Sequence, residues 1–249
     1  MKKIFVGLLT LGAALVVIPM FAAFEAHVIN VTAQIENALS VTTNALDFGT
    51  VFPQEHLDKT VDVALSQSFI DEPRVDDVSY FIRQKPKCAI TSNNGESFDS
   101  ENTATGHVIV DEQGNISIGC GEPPRTLVTG ESWGSLPSLC EYISKEGDDE
   151  NDDTTPSFHQ PWTIDDGEID WLDTFGYLTK DGNDISDTWT IDLAVPCFGG
   201  YCAQDWADFV NDINPDAGDP NQYTQPIENE HKIFGCDLWV EVDGVSESD

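Results

Sequence analysis

Apolar and polar residues alternate along several short stretches of the chain, the period of a strand with one face in a core. "NVTAQIE" puts Val31, Ala33 and Ile35 on one face and Thr32, Gln34 and Glu36 on the other. "TVDVAL" repeats this with Val61, Val63 and Leu65, and "VSYFIR" with Val78, Tyr80 and Ile82. "TWTIDLAV" points Trp189, Ile191, Leu193 and Val195 inward; "CDLWVEV" does so with Leu238, Val240 and Val242. "HVIVDEQGNISIG" reads as a hairpin turning near Gly114, with strands over 107–110 and 115–119. Two segments change to the helical period. Leu136, Leu139, Cys140 and Ile143 share a face in "LPSLCEYI", and Trp206, Phe209, Val210 and Ile213 share one in "AQDWADFVNDI", which Asn214–Pro215 ends. The pattern predicts an all-β fold, an antiparallel two-sheet β-sandwich of jelly-roll type with short helices in its connections.

The beginning of the chain follows a different rule. Lys2 and Lys3 precede an uncharged, mostly apolar run that ends at Phe24, the layout of a secretory signal. Cleavage near residue 26 would leave 27–249 as one β-sandwich domain, secreted or held at the cell surface and not embedded in a membrane. Charge narrows the partners. With 45 acids against 11 Lys and Arg, the net charge of −34 repels nucleic acid and anionic lipid. Fifteen of those acids, against Lys145 and Lys180, fall between residues 141 and 190. "EGDDENDDTTPS" has no apolar period and predicts a mobile, solvated loop. The segment 141–187 reads as an acidic insertion packed on the sandwich.

Six cysteines follow the leader: Cys88, Cys120, Cys140, Cys197, Cys202 and Cys236. An even number in an exported chain predicts three disulfides. Fifteen pairings exist for six cysteines, and only "CFGGYC" hints at one, since Gly199 and Gly200 let Cys197 turn back onto Cys202. No CxxC pair is present, which argues against a thiolate metal site.

No enzyme motif appears. His27, His56, His107, His159 and His231 lie outside any GxSxG or HExxH context, and acid pairs such as Asp165/Asp166 are expected by chance in so acidic a chain. The reading is therefore non-enzymatic, with calcium the one cofactor to consider. "DINPDAGD" offers Asp212, Asn214, Asp216 and Asp219 as oxygen ligands in a turn-prone segment, and "DGNDISD" offers Asp181, Asn183, Asp184 and Asp187. Plain Asx-rich turns compete with both. Trp133, Trp162, Trp171 and Trp239 are candidate sugar platforms if the protein is a calcium-assisted carbohydrate binder, with burial in the core as the competing reading.

One longer stretch carries a family likeness. "QIENALSVTTNALDFGTVFPQEHLDKTVDVALSQSF", residues 34 to 69, combines an alternating strand, a turn of the form L-x-F-G-x-V-F-P-x-E and a strand with a V-D-V core; "GCDLWVEVDGVS" supplies a late strand. This order resembles the TasA/camelysin-type family of exported surface and biofilm-matrix proteins. The chain departs from that pattern in having Gln54 where Gly is common, six cysteines, and the acidic segment. The resemblance implies a β-sandwich structural subunit of a fibre, pilus or matrix. It also implies self-assembly with like subunits, in which His27 to Val41 is donated as a strand that buries Val31, Ala33 and Ile35. It places Leu46, Phe48, Val51 and Phe52 as a plug at the sandwich's open end, with Pro53 ending the first strand's pairing.

Overall fold

The computed structural model describes residues 33–43 and 45–247. The leader and Val31 lie outside that range. Two compact units divide the chain, Met1–Ile35 and Glu36–Asp249. Of the first, Ala33, Gln34 and Ile35 are described; they form no strand, and Ile35 is 92% exposed.

Strands are the main regular structure of the second unit, and every named strand pair is antiparallel. One sheet has the order β1 (Leu39–Val41), β2 (His56–Leu65), β13 (Ser186–Ala194), β8 (Lys145–Glu146) and β9 (Thr154–Thr155). The other is organised around β3 (Val75–Ser92), an 18-residue strand. Its first part pairs with β12 (Thr174–Thr179) and β14 (Cys236–Glu247). Its last part pairs with β4 (Ser97–Thr105) and β7 (Glu131–Ser135). Pro86 sits at the hand-over, opposite Cys236 and next to Lys87, which faces Thr105. A proline there removes a donor where ladder partners change anyway.

The alternation read from the sequence becomes the core. Val61, Val63 and Leu65 of β2 and Trp189, Ile191 and Leu193 of β13 are buried, as are Val78, Tyr80 and Ile82 of β3 and Leu178 of β12. Trp189 Nε1 donates to Tyr80 Oη at 2.7 Å, so a polar contact joins the two sheets inside the apolar layer. Leu238 and Val240 of β14 pack against this core, whereas Val242 is exposed. A register shift between Val242 and Gly244 turns the strand there, and the inward alternation ends with it.

Short elements fill the connections. α1 (Gln67–Asp71) is capped by Ser66, whose Oγ accepts from Phe69 N. β5 (His107–Val110) and β6 (Ile116–Gly119) form the expected hairpin. β10 (Trp162–Asp165) and β11 (Glu168–Trp171) form another around Asp166 and Gly167, both at positive φ as a two-residue turn of mirror-image type requires. α2 (Trp206–Ile213) is the helix predicted before Asn214–Pro215. "LPSLCEYI" is not a full helix. It holds one 3-10 turn, Cys140–Tyr142, because its carbonyls are taken by another strand's side chain: Gln84 Nε2 donates to Cys140 O and Ile143 O.

The acidic stretch departs furthest from expectation. Residues 141–187 supply β8, β9 and β12 to the two sheets, so they are built into the sandwich. Phe158, directly after the run read as a solvated loop, is fully buried against Tyr142, Trp206, Phe209 and Tyr223, and Thr155 and Ser157 within the run are buried too. The motif "LDFGTVFPQE" also differs. Leu46, Phe48 and Val51 pack on the core, but Phe52 is 64% exposed.

The six cysteines form Cys88–Cys120, Cys140–Cys236 and Cys197–Cys202. Three disulfides in one domain belong to an oxidising, extracellular type of environment. No helix among the described residues is long and apolar enough to cross a membrane.

Candidate metal centre

Two connections meet at one end of the first sheet. The chain leaves β8 through Gly147 and returns at β9, and on the way it carries Asp148, Asp149 and Asp152. The other connection runs from β12 to β13 through a turn at Gly182 and carries Asp184, and Asp187 follows as the second residue of β13. Gly147 is needed because any Cβ there would collide with the Asp152 side chain folded over it. The loop is pinned at three points. Asp149 Oδ1 accepts from Asn151 N at 2.7 Å, Asp153 N donates to Phe175 O at 2.9 Å, and Asp148 Oδ1 accepts from Thr188 N at 3.0 Å.

The carboxylates converge. Oxygens of Asp148, Asp152 and Asp187 lie within 4.8 Å of one another, and so do those of Asp149, Asp184 and Asp187. Asp187 belongs to both groups. Strand period puts it on the inward face of β13, two residues before Trp189, and it is 0% exposed. Its Oδ2 accepts from Tyr80 Oη, while Oδ1 has no donor. Neither oxygen of Asp152 has one, although both are shielded from solvent. None of the ion pairs among the described residues involves these five acids.

Crowding of like charges away from water shifts their titration. Burial, reinforced by the Asp149 charge, pushes Asp152 up to about 7; the Tyr177 N–H opposes this without reaching hydrogen-bonding geometry. Burial likewise pushes Asp187 up to about 7, against the Tyr80 hydroxyl and with the help of Asp152. Asp184 is also raised, by burial and then by Asp149 and Asp148. Buried Asp187, half-buried Asp152 and Asp184 and exposed Asp148 and Asp149 together form an all-oxygen donor set with no ion-pair partner among the described residues. Hard cations such as calcium prefer such a set, whereas softer metals favour thiolate or imidazole.

The sequence-predicted ligands are distributed differently. Asp212, Asp216 and Asp219 are exposed and form no such group. Asn214 is buried and committed to the backbone: Nδ2 donates to Phe158 O at 2.9 Å and Oδ1 accepts from Asp216 N at 3.0 Å. Asp219 caps the next 3-10 turn by accepting from Asn221 N. This loop is a turn held by its own Asx side chains. In "DGNDISD", Asp184 and Asp187 join the cluster and Asp181 does not.

None of the four candidate tryptophans is buried in the core: Trp133, Trp162 and Trp171 are half-buried and Trp239 is exposed. Trp133 Nε1 donates to Gly121 O at 3.0 Å, and Trp162 packs on Trp171 across β10–β11 with ring centres 5.4 Å apart. Trp239, on β14, has the Lys85 ammonium 3.6 Å from its ring centre.

No family model, curated protein or solved structure matches this chain. The site therefore stands on its own chemistry. Asp148, Asp149 and Asp152 were hidden in a run that reads as solvated charge. Asp187 had a visible signal: the alternation through Trp189, Ile191 and Leu193, carried two residues back, puts an acid on the buried face.

Proposed function

We propose that this chain is an exported, non-enzymatic structural protein of the cell surface or extracellular matrix. In this reading its β-sandwich takes up a divalent cation, calcium, between Asp148, Asp149, Asp152, Asp184 and Asp187. The observation that carries the cation reading is the pair of shielded carboxylates, Asp187 and Asp152, whose free oxygens face the other acids. An ion there would offset repulsion between the two connections and fasten them at one corner of the sheet. The disulfides and β-rich build support placement outside the cell. The exposed Ile35, in the segment that the TasA-type resemblance assigns to strand donation, supports self-association with like subunits.

Titration calorimetry and thermal unfolding of chelator-treated protein test the cation reading. Calcium should raise the melting temperature, with a stabilisation of about 2.7 kcal/mol at a free concentration one hundred times Kd. Asp187→Asn should abolish that rise, yet leave the chelated protein at least as stable as the parent, because one repelling charge is gone. If calcium leaves the parent protein's melting temperature unchanged, or the variant still responds, the site is wrong.

A further inference from the structure

A second polar group lies inside the sandwich, built from Gln84, Lys145 and His159. Lys145 belongs to β8 in one sheet and Gln84 to β3 in the other, and both are 0% exposed. Lys145 Nζ donates to Gln84 Oε1 at 2.8 Å. No carboxylate lies within ion-pairing distance of that amine among the described residues. The amide's orientation is fixed, because Gln84 Nε2 is already spent on Cys140 O at 2.8 Å and Ile143 O at 3.2 Å. His159 Nε2 stands 2.6 Å from the same Oε1, and its Nδ1 stands 2.8 Å from Pro156 O. Both of its neighbours are acceptors, so the ring serves both only with a proton on each nitrogen.

This arrangement brings a nucleophile to an activated carbonyl. A carbonyl bond of about 1.23 Å places the amine no farther than about 4 Å from the Gln84 Cδ. Burial lowers Lys145 to about 7, so its free base is accessible at neutral pH. Burial and the Lys145 charge also push His159 down, to about 4, so near neutral pH the ring is uncharged and carries a single proton. With that proton on Nε2 the ring donates to Gln84 Oε1 while the amine is in its free-base form.

We propose that Lys145 and Gln84 join in an intramolecular isopeptide bond, formed without a separate enzyme. The Nζ lone pair attacks Cδ, and the oxygen of the tetrahedral intermediate is held by the His159 Nε2–H. A proton from Nζ passes to the departing Nε2, the Cδ–Nε2 bond breaks, and ammonia leaves. One amide is exchanged for another, with no oxidant or reductant. The product ties β3 to β8 and so links the two sheets covalently, independently of the disulfides.

Mass spectrometry of the reduced, exported protein tests this. The intact mass should fall short of the value for its sequence by one ammonia. A tryptic map should show no cleavage after Lys145 and a branched peptide containing Gln84. Fragmentation of that peptide separates the cross-link from ammonia loss elsewhere, for example at Asn94–Gly95. Lys145→Met and Gln84→Met should each restore the lost mass, and His159→Gln should leave most chains unlinked. A mass deficit of zero in the reduced parent protein, with normal cleavage after Lys145, would mean that the trio is only a hydrogen-bonded network and would overturn the proposal. The parent measurement decides even if the variants fail to fold.

Discussion

Tyr80 and Trp189 face each other across the sandwich, and the Tyr80 hydroxyl serves both the tryptophan and an acid. It accepts from Trp189 Nε1 at 2.7 Å and donates to Asp187. A single oxygen thus connects the middle of the apolar core to the candidate metal centre. Burial and the adjacent Asp187 carboxylate hold this phenol protonated, far above the ordinary tyrosine range.

Removing that oxygen should therefore be felt twice. Tyr80→Phe keeps the ring but orphans Trp189 Nε1 and Asp187 Oδ2. Each buried group left without a partner costs about 1–3 kcal/mol, so a loss of about 2–6 kcal/mol is expected. Denaturant unfolding measures it. A loss below about 1 kcal/mol would show that the relay adds little to stability.

Gly147→Ala probes the loop without touching a ligand. The added Cβ forces Asp152 aside, so calcium affinity should drop at least about tenfold, equivalent to about 1.4 kcal/mol. The tryptophan fluorescence of the folded core should stay as in the parent. Unchanged affinity in calorimetry would remove Asp152 from the ligand set.

The pH dependence has a definite sign. Asp152 and Asp187 titrate near 7 in the fold, above their ordinary carboxylate value. The folded state therefore binds more protons than the unfolded one between about pH 4 and 7. Ion-free protein should lose this contribution as pH rises through that window and level off above it. With saturating calcium the trend should weaken or reverse, since protons then compete with the ion. Melting curves across this range with chelator and with calcium are the check. Identical pH profiles in the two would contradict the site.

The disulfides should differ in weight. Cys140–Cys236 spans 96 residues of sequence and Cys197–Cys202 spans 5. In the chain-entropy picture the first restrains the unfolded chain by about 4–5 kcal/mol and the second by about 2 kcal/mol. Replacing each pair with Ala and comparing denaturation midpoints tests the order. Equal midpoints would mean that native packing, and not loop closure, sets the effect.

Much of this fold is legible in the sequence because a half-buried strand must alternate. The core faces of β2, β3 and β13, the β5–β6 hairpin and α2 all follow from period and turn residues. The length of β3 does not, since Pro86 and the surrounding lysines hide a strand that continues by changing partners. "LPSLCEYI" has a helical period that Gln84 overrides from a distant strand. The candidate metal centre is half visible. Asp184 and Asp187 lie in a segment readable as oxygen-rich, but their partners Asp148, Asp149 and Asp152 come from a loop whose fold depends on contacts with β12 and β13. Local pattern carries no information about such meetings. Phe52 shows the converse: the family resemblance implied its burial in a plug, and the turn at Gln54, which has positive φ, goes with a side chain left outside.

The shared strand β3 bears on how the domain comes apart. β14 runs beside its first twelve residues, with β12 on the other side of Asp77–Ile82, and β4 runs beside its last six, with β7 on the other side of Cys88–Ser92. Neither set of neighbours can be released while β3 stays whole without exposing a row of unpaired amides on the same strand. Opening is thereby shared along its length, about 60 Å for a strand of this size. Amide protons at Val78–Ile82 and at Ala89–Thr91 belong to one cooperative unit and should exchange with solvent through the same rare event.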